Sequence, residues 1–341
     1  MTTTADLLQR AQGGDGDAAV MLSRLLDREG KYDEAVQWLA KAANSGHLLA
    51  CTVLGARLVG ARGAPHDPAR GAEFIHRAAS KGQADAAAYA SVLAAMGIGR
   101  PQDWDDAMAG LAMAAARGHV RSQQALPVAR LLSLAEWLTP PEPEQISAEP
   151  LLLGFKGFIP SRVCDWVIGQ SRDFLRPAQV YNPGGTSEAN EARTNSGTGY
   201  SLLDLDVVFA LVRARIGAAI GHPLDAFETI NVLHYAVGQK FSPHFDFIDP
   251  ATPGLAADVA QRGQRVGTFL IYLNDGYEGG DTDFPVLKRT FKGSKGDALY
   301  FRNVDAAGRP DPRTWHAGLP PTAGAKWLLS QWIRSKPQLQ I

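Results

Sequence analysis

Thr229-Ile230-Asn231-Val232-Leu233-His234-Tyr235, with His244-Phe245-Asp246 shortly after it, decides how the second half of this chain is built. The run is rich in β-branched and aromatic residues, as strands are. Thr268-Phe269-Leu270-Ile271-Tyr272-Leu273 and Lys326-Trp327-Leu328-Leu329-Ser330-Gln331-Trp332-Ile333 share that texture, and Ala298–Arg302 is a shorter example. Gly, Pro, Asn and Asp separate the runs, so a sandwich, barrel or jelly roll of short strands is expected from Glu228 onward. On an extended strand residues i and i+2 project from one face, so His244 and Asp246 can reach one ion from the same side. His316, in Thr314-Trp315-His316-Ala317-Gly318, offers a second imidazole. Two His and one carboxylate leave three coordination positions open, an arrangement typical of non-haem Fe(II) oxygenases, although a zinc hydrolase could use the same side chains. Such a site needs a narrow, closed-walled cup, which selects the jelly roll.

Lys326 lies ten residues past His316 and opens an apolar strand. A lysine there either snorkels at the barrel rim or is buried and paired. An iron-bound 2-keto acid would supply the partner: its keto oxygen and one carboxylate chelate the metal, and its far carboxylate needs a cation and hydroxyls deep in the cup. Hydrolysis at zinc has no use for such a residue.

Outward from this half, Pro160 to Leu175 and Leu203 to Ile220 carry apolar residues at helical spacing and are expected to be supporting helices. The first third repeats itself. Ala42-Ala43-Asn44-Ser45-Gly46, Ala78-Ala79-Ser80-Lys81-Gly82 and Ala114-Ala115-Ala116-Arg117-Gly118 place their glycines 36 residues apart. A fixed period of that size means stacked helix pairs, with the glycine at a helix C-terminus. A weaker copy is expected around Ala18 to Asp33. Over about residues 5–135 the pattern resembles the Sel1-like branch of the tetratricopeptide-type repeats. That resemblance implies either a protein partner on a concave face or a buttress for the neighbouring domain. His47 and His119 follow repeat glycines and belong to the repeat. Thr139-Pro140-Pro141-Glu142-Pro143-Glu144 cannot continue a helix. The expected organisation is therefore α+β multidomain: an α-helical repeat solenoid over 1–138, a Pro-rich linker over 139–150, and a double-stranded β-helix, or jelly roll, with supporting helices over 151–341.

The formal net charge of −1 gives no footprint for nucleic acid or an anionic membrane surface. No apolar run approaches the roughly 20 residues that span a bilayer, and Met1 to Gln12 lacks the pattern of a secretory signal. The two cysteines, Cys51 and Cys164, read as reduced, buried thiols, and a cytoplasmic location is expected.

The second half closely resembles the catalytic domain of the prolyl 4-hydroxylase family over roughly residues 151–336. The resemblance is carried by Arg193-Thr194-Asn195-Ser196, by Tyr235 through Asp246, and by Arg265-Val266-Gly267-Thr268 running on to Asn274. Glu278-Gly279-Gly280-Asp281-Thr282-Asp283-Phe284-Pro285, Lys295-Gly296-Asp297, His316-Ala317-Gly318 and the Lys326 strand complete it. It implies Fe(II) on His244, Asp246 and His316, with 2-oxoglutarate held by Lys326, Tyr235 and Thr282. O2 is the co-substrate, and ascorbate is a candidate auxiliary reductant. Arg265 and Trp332 match positions that line the family's substrate pocket. Phe241 stands where family members often have a tyrosine, so one polar contact near the substrate is missing. The implied reaction is hydroxylation of an unactivated C–H bond, first of a prolyl residue in a peptide or protein, with succinate and CO2 as co-products. The alternatives are a free amino acid such as proline or pipecolate as substrate, or a non-catalytic interaction protein. Phe247 to Gln264 is read as either a lid over the iron or a surface insertion.

Overall fold

The computed structural model describes residues 3–178, 180–181, 187–188, 191–252 and 254–338. The chain divides into two compact units, one formed by residues up to Leu132 together with Leu202–Leu211, the other by Ser133–Ser201 and residues from Val212 onward.

The first unit contains eight successive helices: α1 (Thr4–Gln12), α2 (Gly16–Arg28), α3 (Tyr32–Asn44), α4 (Leu48–Gly60), α5 (Pro68–Ser80), α6 (Ala84–Met96), α7 (Trp104–Ala116) and α8 (Val120–Arg130). The repeat signature has a local physical meaning. Gly46, Gly82 and Gly118 adopt φ of +89°, +103° and +89°, the left-handed conformation that closes a helix. The double alanines supply the two carbonyls of that closure. Gly46 N–H donates to Ala43 and His47 N–H to Ala42, and the pairs Gly82–Ala79, Gln83–Ala78, Gly118–Ala115 and His119–Ala114 repeat it. The residue after each glycine then caps the next helix: Ala50 N–H donates to His47, Ala86 N–H to Gln83 and Ser122 N–H to His119. Both histidines are thereby assigned to capping. The fourth copy sits earlier than expected, at Thr4–Arg28, where Gly14 closes α1 and Asp15 caps α2. Close approach is enforced at α4 and α5, where a Cβ on Gly55 would fall 2.6 Å from the Gly71 carbonyl oxygen.

The second unit holds the strands. In chain order they are β1 (Glu144–Ser147), β2 (Leu152–Phe155), β3 (Arg176–Pro177), β4 (Val180–Tyr181), β5 (Ser187–Glu188), β6 (Ser196–Tyr200), β7 (Ile230–Tyr235) and β8 (Phe241–His244). They continue with β9 (Arg265–Tyr272), β10 (Glu278–Gly279), β11 (Thr282–Phe284), β12 (Arg289–Phe291), β13 (Ala298–Arg302), β14 (His316–Gly318), β15 (Pro321–Ala323) and β16 (Lys326–Arg334). An eight-stranded antiparallel sheet runs β1-β2-β13-β9-β16-β7-β6-β3, and a four-stranded one runs β12-β11-β14-β8. They meet across a core of Leu152, Leu233, Leu270, Tyr272, Phe284, Leu299, Phe301 and Leu328. This is the expected jelly roll. Three fully buried phenylalanines, Phe284, Phe301 and Phe269, weigh heavily in it, since each such side chain contributes about 1.5–3 kcal/mol through burial.

Four further helices accompany the strands: α9 (Leu134–Trp137), α10 (Ser161–Ser171), α11 (Val207–Ile220) and α12 (Leu255–Arg262). The α11 helix starts later than the apolar periodicity from Leu203 suggests, because the Asp206 carboxylate caps it by accepting from Val208 and Phe209 N–H. Two boundaries also differ from expectation. The 139–150 stretch is not a bare linker, since its extended backbone supplies β1, which pairs with β2 at Glu144↔Gly154. Ahead of it, Arg215 donates to the carbonyls of Phe158, Glu136 and Trp137, so α9 belongs to the second unit and the division falls at Leu132. The 247–264 stretch, whose Pro253 lies outside the described residues, contains α12. Gln264 pins its ends together through Ile248 N–H and C=O at 2.6 Å each, and Asp258 on α12 pairs with Arg334 at 2.9 Å. It is an anchored helical insertion.

Candidate active site

Register, more than proximity in sequence, assembles the cup. On β7, β16 and β9 the inward side chains form cross-strand rows: Tyr235 beside Lys326, then Leu233–Leu328–Tyr272, then Asn231–Ser330–Leu270. On the opposing sheet His244 faces His316, and Thr282 faces Gly318. One cavity is lined by residues from both sets, among them His244, Asp246, His316, Thr282, Lys326 and Trp332.

The expected metal ligands converge. Potential ligand atoms of His244, Asp246 and His316 lie within 4.8 Å of one another. The β8 strand ends at His244, so Asp246 stands on the bend that follows, yet it keeps the same-side relation of an i, i+2 pair. Each histidine has its Nδ1 2.9 Å from a backbone carbonyl, Ser242 for His244 and Thr314 for His316. A carbonyl only accepts, so each Nδ1 carries a proton, and in the neutral imidazole, the form that ligates a metal, each Nε2 presents a lone pair. Those lone pairs face the Asp246 carboxylate at 3.6 Å on either side. Acceptors aimed at one another without a proton between them repel, and a cation at their centre turns that repulsion into ligation. Burial, with the neighbouring His244 adding to it, pushes His316 down to about 4, which keeps its imidazole neutral. Burial alone would raise the Asp246 carboxyl, but His316 and His244 in their charged forms, together with Arg265, hold it well below the usual carboxylate range, so it stays ionised once the imidazoles are neutral. The donor set therefore fits a divalent ion such as Fe(II).

Lys326 is 1% exposed, so it does not snorkel. Its ammonium donates to the Gly280 carbonyl at 2.6 Å and lies over the rings of Tyr235 and Tyr272, 5.5 and 5.2 Å from their centroids. Among the described residues no carboxylate lies within hydrogen-bond reach of it, and burial pushes it down to about 7. Thr282 is buried beside it and bonds the Tyr272 hydroxyl at 2.7 Å. The Tyr235 ring closes the same end, where Gly318 makes room: a Cβ there would come 3.3 Å from the Tyr235 hydroxyl. A cation, a tyrosine and a threonine thus share one end of the cavity, with the Tyr272 hydroxyl bonded to Thr282, an arrangement that suits the far carboxylate of a keto acid.

Of the three residues expected around a substrate, Phe241 and Trp332 line the cavity and Arg265 does not. Phe241 stacks on His244 with centroids 3.5 Å apart, and the Arg193 guanidinium lies over the Phe241 ring at 4.5 Å. The Trp332 indole N–H is buried without a hydrogen-bond partner among the described residues. Arg265 instead spends its charge on a bidentate pair with Glu228, at 2.7 and 2.9 Å, while its guanidinium covers the Trp332 ring at 3.8 Å. Sequence reasoning missed Tyr272, Thr268 and Asn303. Tyr272 sits at even spacing from Leu270 and Thr268 on an obvious strand, and this was the available signal.

Among solved structures, this chain is similar to the viral collagen prolyl hydroxylase of Paramecium bursaria Chlorella virus-1, with 26% identity over 54% of this chain and 96% of that one, at a TM-score of 0.42. The first unit is similar to a Sel1 repeat protein from Oxalobacter formigenes, with 31% identity over 36% of this chain and 96% of that one, at a TM-score of 0.33. Residues 230–334 match the 2OG-Fe(II) oxygenase superfamily. The probable prolyl 4-hydroxylase 6 of Arabidopsis thaliana is 33% identical over 210 residues, which cover 55% of this chain and 70% of that protein. With its cup, donor set and buried lysine in place, this chain belongs to the prolyl 4-hydroxylase family of 2OG-Fe(II) oxygenases.

Proposed function

We propose that the protein hydroxylates a prolyl residue within a peptide or protein, with 2-oxoglutarate and O2 as co-substrates and succinate and CO2 as co-products. The observation that carries the reading is Lys326, a buried cation with no carboxylate partner among the described residues, in a cavity that Tyr235 and Thr282 line with it and that His244, Asp246 and His316 also line. Iron and 2-oxoglutarate, when bound, supply the oxidation, coupling decarboxylation of the keto acid to transfer of one oxygen atom from O2 to a C–H bond. The chain's own work is positional. His244, Asp246 and His316 hold the metal, and Lys326, Tyr235 and Thr282 hold the far carboxylate. Phe241 and Trp332 shape the substrate's approach. The apolar walls at Leu233, Leu270 and Leu328 exclude water from the oxidant.

A polypeptide substrate is favoured by the family and by the helical unit, where Arg24, Tyr32, Thr52, Arg57 and Tyr89 line a second cavity of about 810 Å³. That cavity is a candidate contact for residues of a polypeptide. The test is succinate release coupled to a product mass gain of one oxygen, compared between proline-containing peptides and free proline or pipecolate. Turnover of peptides alone is expected. Turnover of the free amino acids alone would replace this reading with an amino-acid hydroxylase.

A further inference from the structure

Thr268 and Asn303 lie beside the metal-binding carboxylate, on β9 and just past the end of β13, and neither is exposed to solvent at all. The Thr268 hydroxyl sits 2.7 Å from Asp246 Oδ2, and Asn303 Nδ2 sits 3.0 Å from that same hydroxyl. The directions are fixed by the donor inventory. An amide NH2 can only donate, so Thr268 accepts from Asn303, and its single hydroxyl proton must go to Asp246. Asn303 is itself held at both backbone ends, since its N–H donates to Val266 and its carbonyl accepts from Asp311 N–H. The Asn303 Oδ1 is buried with no hydrogen-bond partner among the described residues, so the pair is kept at a cost, and its presence beside one carboxylate oxygen calls for a role.

We infer that Asn303 and Thr268 are positioning residues that restrict Asp246 to one metal-binding oxygen. The inference rests on the oxygenase reading above. An octahedral ion has six positions. The protein would take three and a chelating keto acid two, which would leave one for O2. An aspartate binding through both oxygens would occupy the position that O2 needs. A hydroxyl proton committed to Oδ2 ties down that oxygen's lone pair and holds the carboxylate plane, which disfavours the second bond. Outer-sphere hydrogen bonds of this kind also raise metal affinity.

The experiment compares Thr268→Ser, Thr268→Ala and Thr268→Val with the full-length parent, using Co(II) as a spectroscopic probe without 2-oxoglutarate. Serine and alanine both lose the methyl group and differ only in the hydroxyl. Co(II) affinity and the d–d absorption of the bound ion are read directly, and thermal melting confirms folding. Serine should match the parent, whereas alanine and valine should weaken Co(II) by roughly 10–100-fold and alter the d–d band. Asn303→Leu should give a smaller change in the same direction. If the valine variant fails to fold, the serine–alanine difference decides alone. Equal affinity and equal spectra for serine and alanine would overturn the inference. Asp246→Ala separates the two levels of the argument: if it too leaves Co(II) affinity unchanged, the metal-centre reading has failed. If it abolishes binding while the Thr268 variants do not, only the positioning role has.

Discussion

Binding of 2-oxoglutarate should take up a proton near neutral pH and weaken as pH rises, because the cation that meets its far carboxylate is held down to about 7 in the free protein. The direction follows from Lys326 itself. Below pH 7 the ammonium is already charged and the anion binds without proton exchange. Above it the neutral amine predominates, and binding must recruit a proton against an increasingly alkaline solution. A charge-assisted hydrogen bond of about 2 kcal/mol raises the lysine by ~1.5 pKa units in the complex, to about 8.5. With those two values Kd rises about 15-fold between pH 6 and pH 8.5, while both carboxyl groups of the keto acid stay ionised throughout. The measurement is titration calorimetry under anaerobic conditions with saturating Mn(II). Two buffers of different ionisation enthalpy give the proton count directly, expected at about 0.7 near pH 7.5 from the same linkage. Lys326→Met keeps the packed stem and removes the charge. It should weaken 2-oxoglutarate about 30-fold or more at pH 6.5, the equivalent of the same ~2 kcal/mol, and should abolish the proton uptake. A Kd that stays flat across this pH range with no buffer dependence, or a methionine variant that binds as well as the parent, would refute the assignment of Lys326 to the carboxylate.

Other consequences are reachable with single substitutions. Gly55→Leu drives a Cβ into the Gly71 carbonyl at 2.6 Å and should cost ~1–3 kcal/mol in the helical unit. Calorimetric melting should show a lowered transition while 2-oxoglutarate affinity stays at the parent value. Phe241→Tyr adds a hydroxyl at the cavity wall while keeping the ring on His244, so it should shift KM for the peptide substrate with little change in melting temperature, read from steady-state succinate release. Tyr89→Ala in the helical unit's cavity should raise KM for a protein substrate several-fold and leave kcat at the parent value, as loss of a binding contact that takes no part in the chemistry does. An unchanged KM would remove that cavity from substrate binding.

Much of this was legible in the sequence because local periodicity encodes it. The 36-residue spacing of Gly46, Gly82 and Gly118 reports a backbone requirement, a left-handed residue closing a helix whose last carbonyls belong to the paired alanines. His244 and Asp246 are two apart, and that spacing survives even though the strand stops between them. Lys326 betrays itself as a charge at the mouth of an apolar strand. The Pro-rich run misled for the opposite reason. Its composition correctly forbids helix, but whether an extended segment floats free or joins a sheet depends on an available edge, and β2 supplies one from residues the run itself does not contain.

Arg265 shows where single-sequence reading stops. Its position and charge invite a substrate role, yet Glu228 lies 37 positions away in sequence and captures it, with Arg334 completing the same cluster from the far end of β16. Residues scattered over more than a hundred positions thus set the ionisation of one buried carboxylate. Burial alone would raise Glu228, but Arg265 and Arg334 together bring it below the usual range. The same logic hides Thr268, Tyr272 and Asn303. Each is unremarkable in its own stretch of sequence and acquires a chemical meaning only when the fold sets Thr268 beside Asp246, Asn303 beside Thr268 and Tyr272 beside Thr282. The ligands that touch the metal can be read from spacing because they must be particular residue types. The groups that orient those ligands need only one hydroxyl or one amide at the right height on a neighbouring strand, and many sequences could provide it. Outer-sphere control is therefore where relatives with identical metal ligands have most room to diverge, and where the chemistry of this cup is most open to change by substitution.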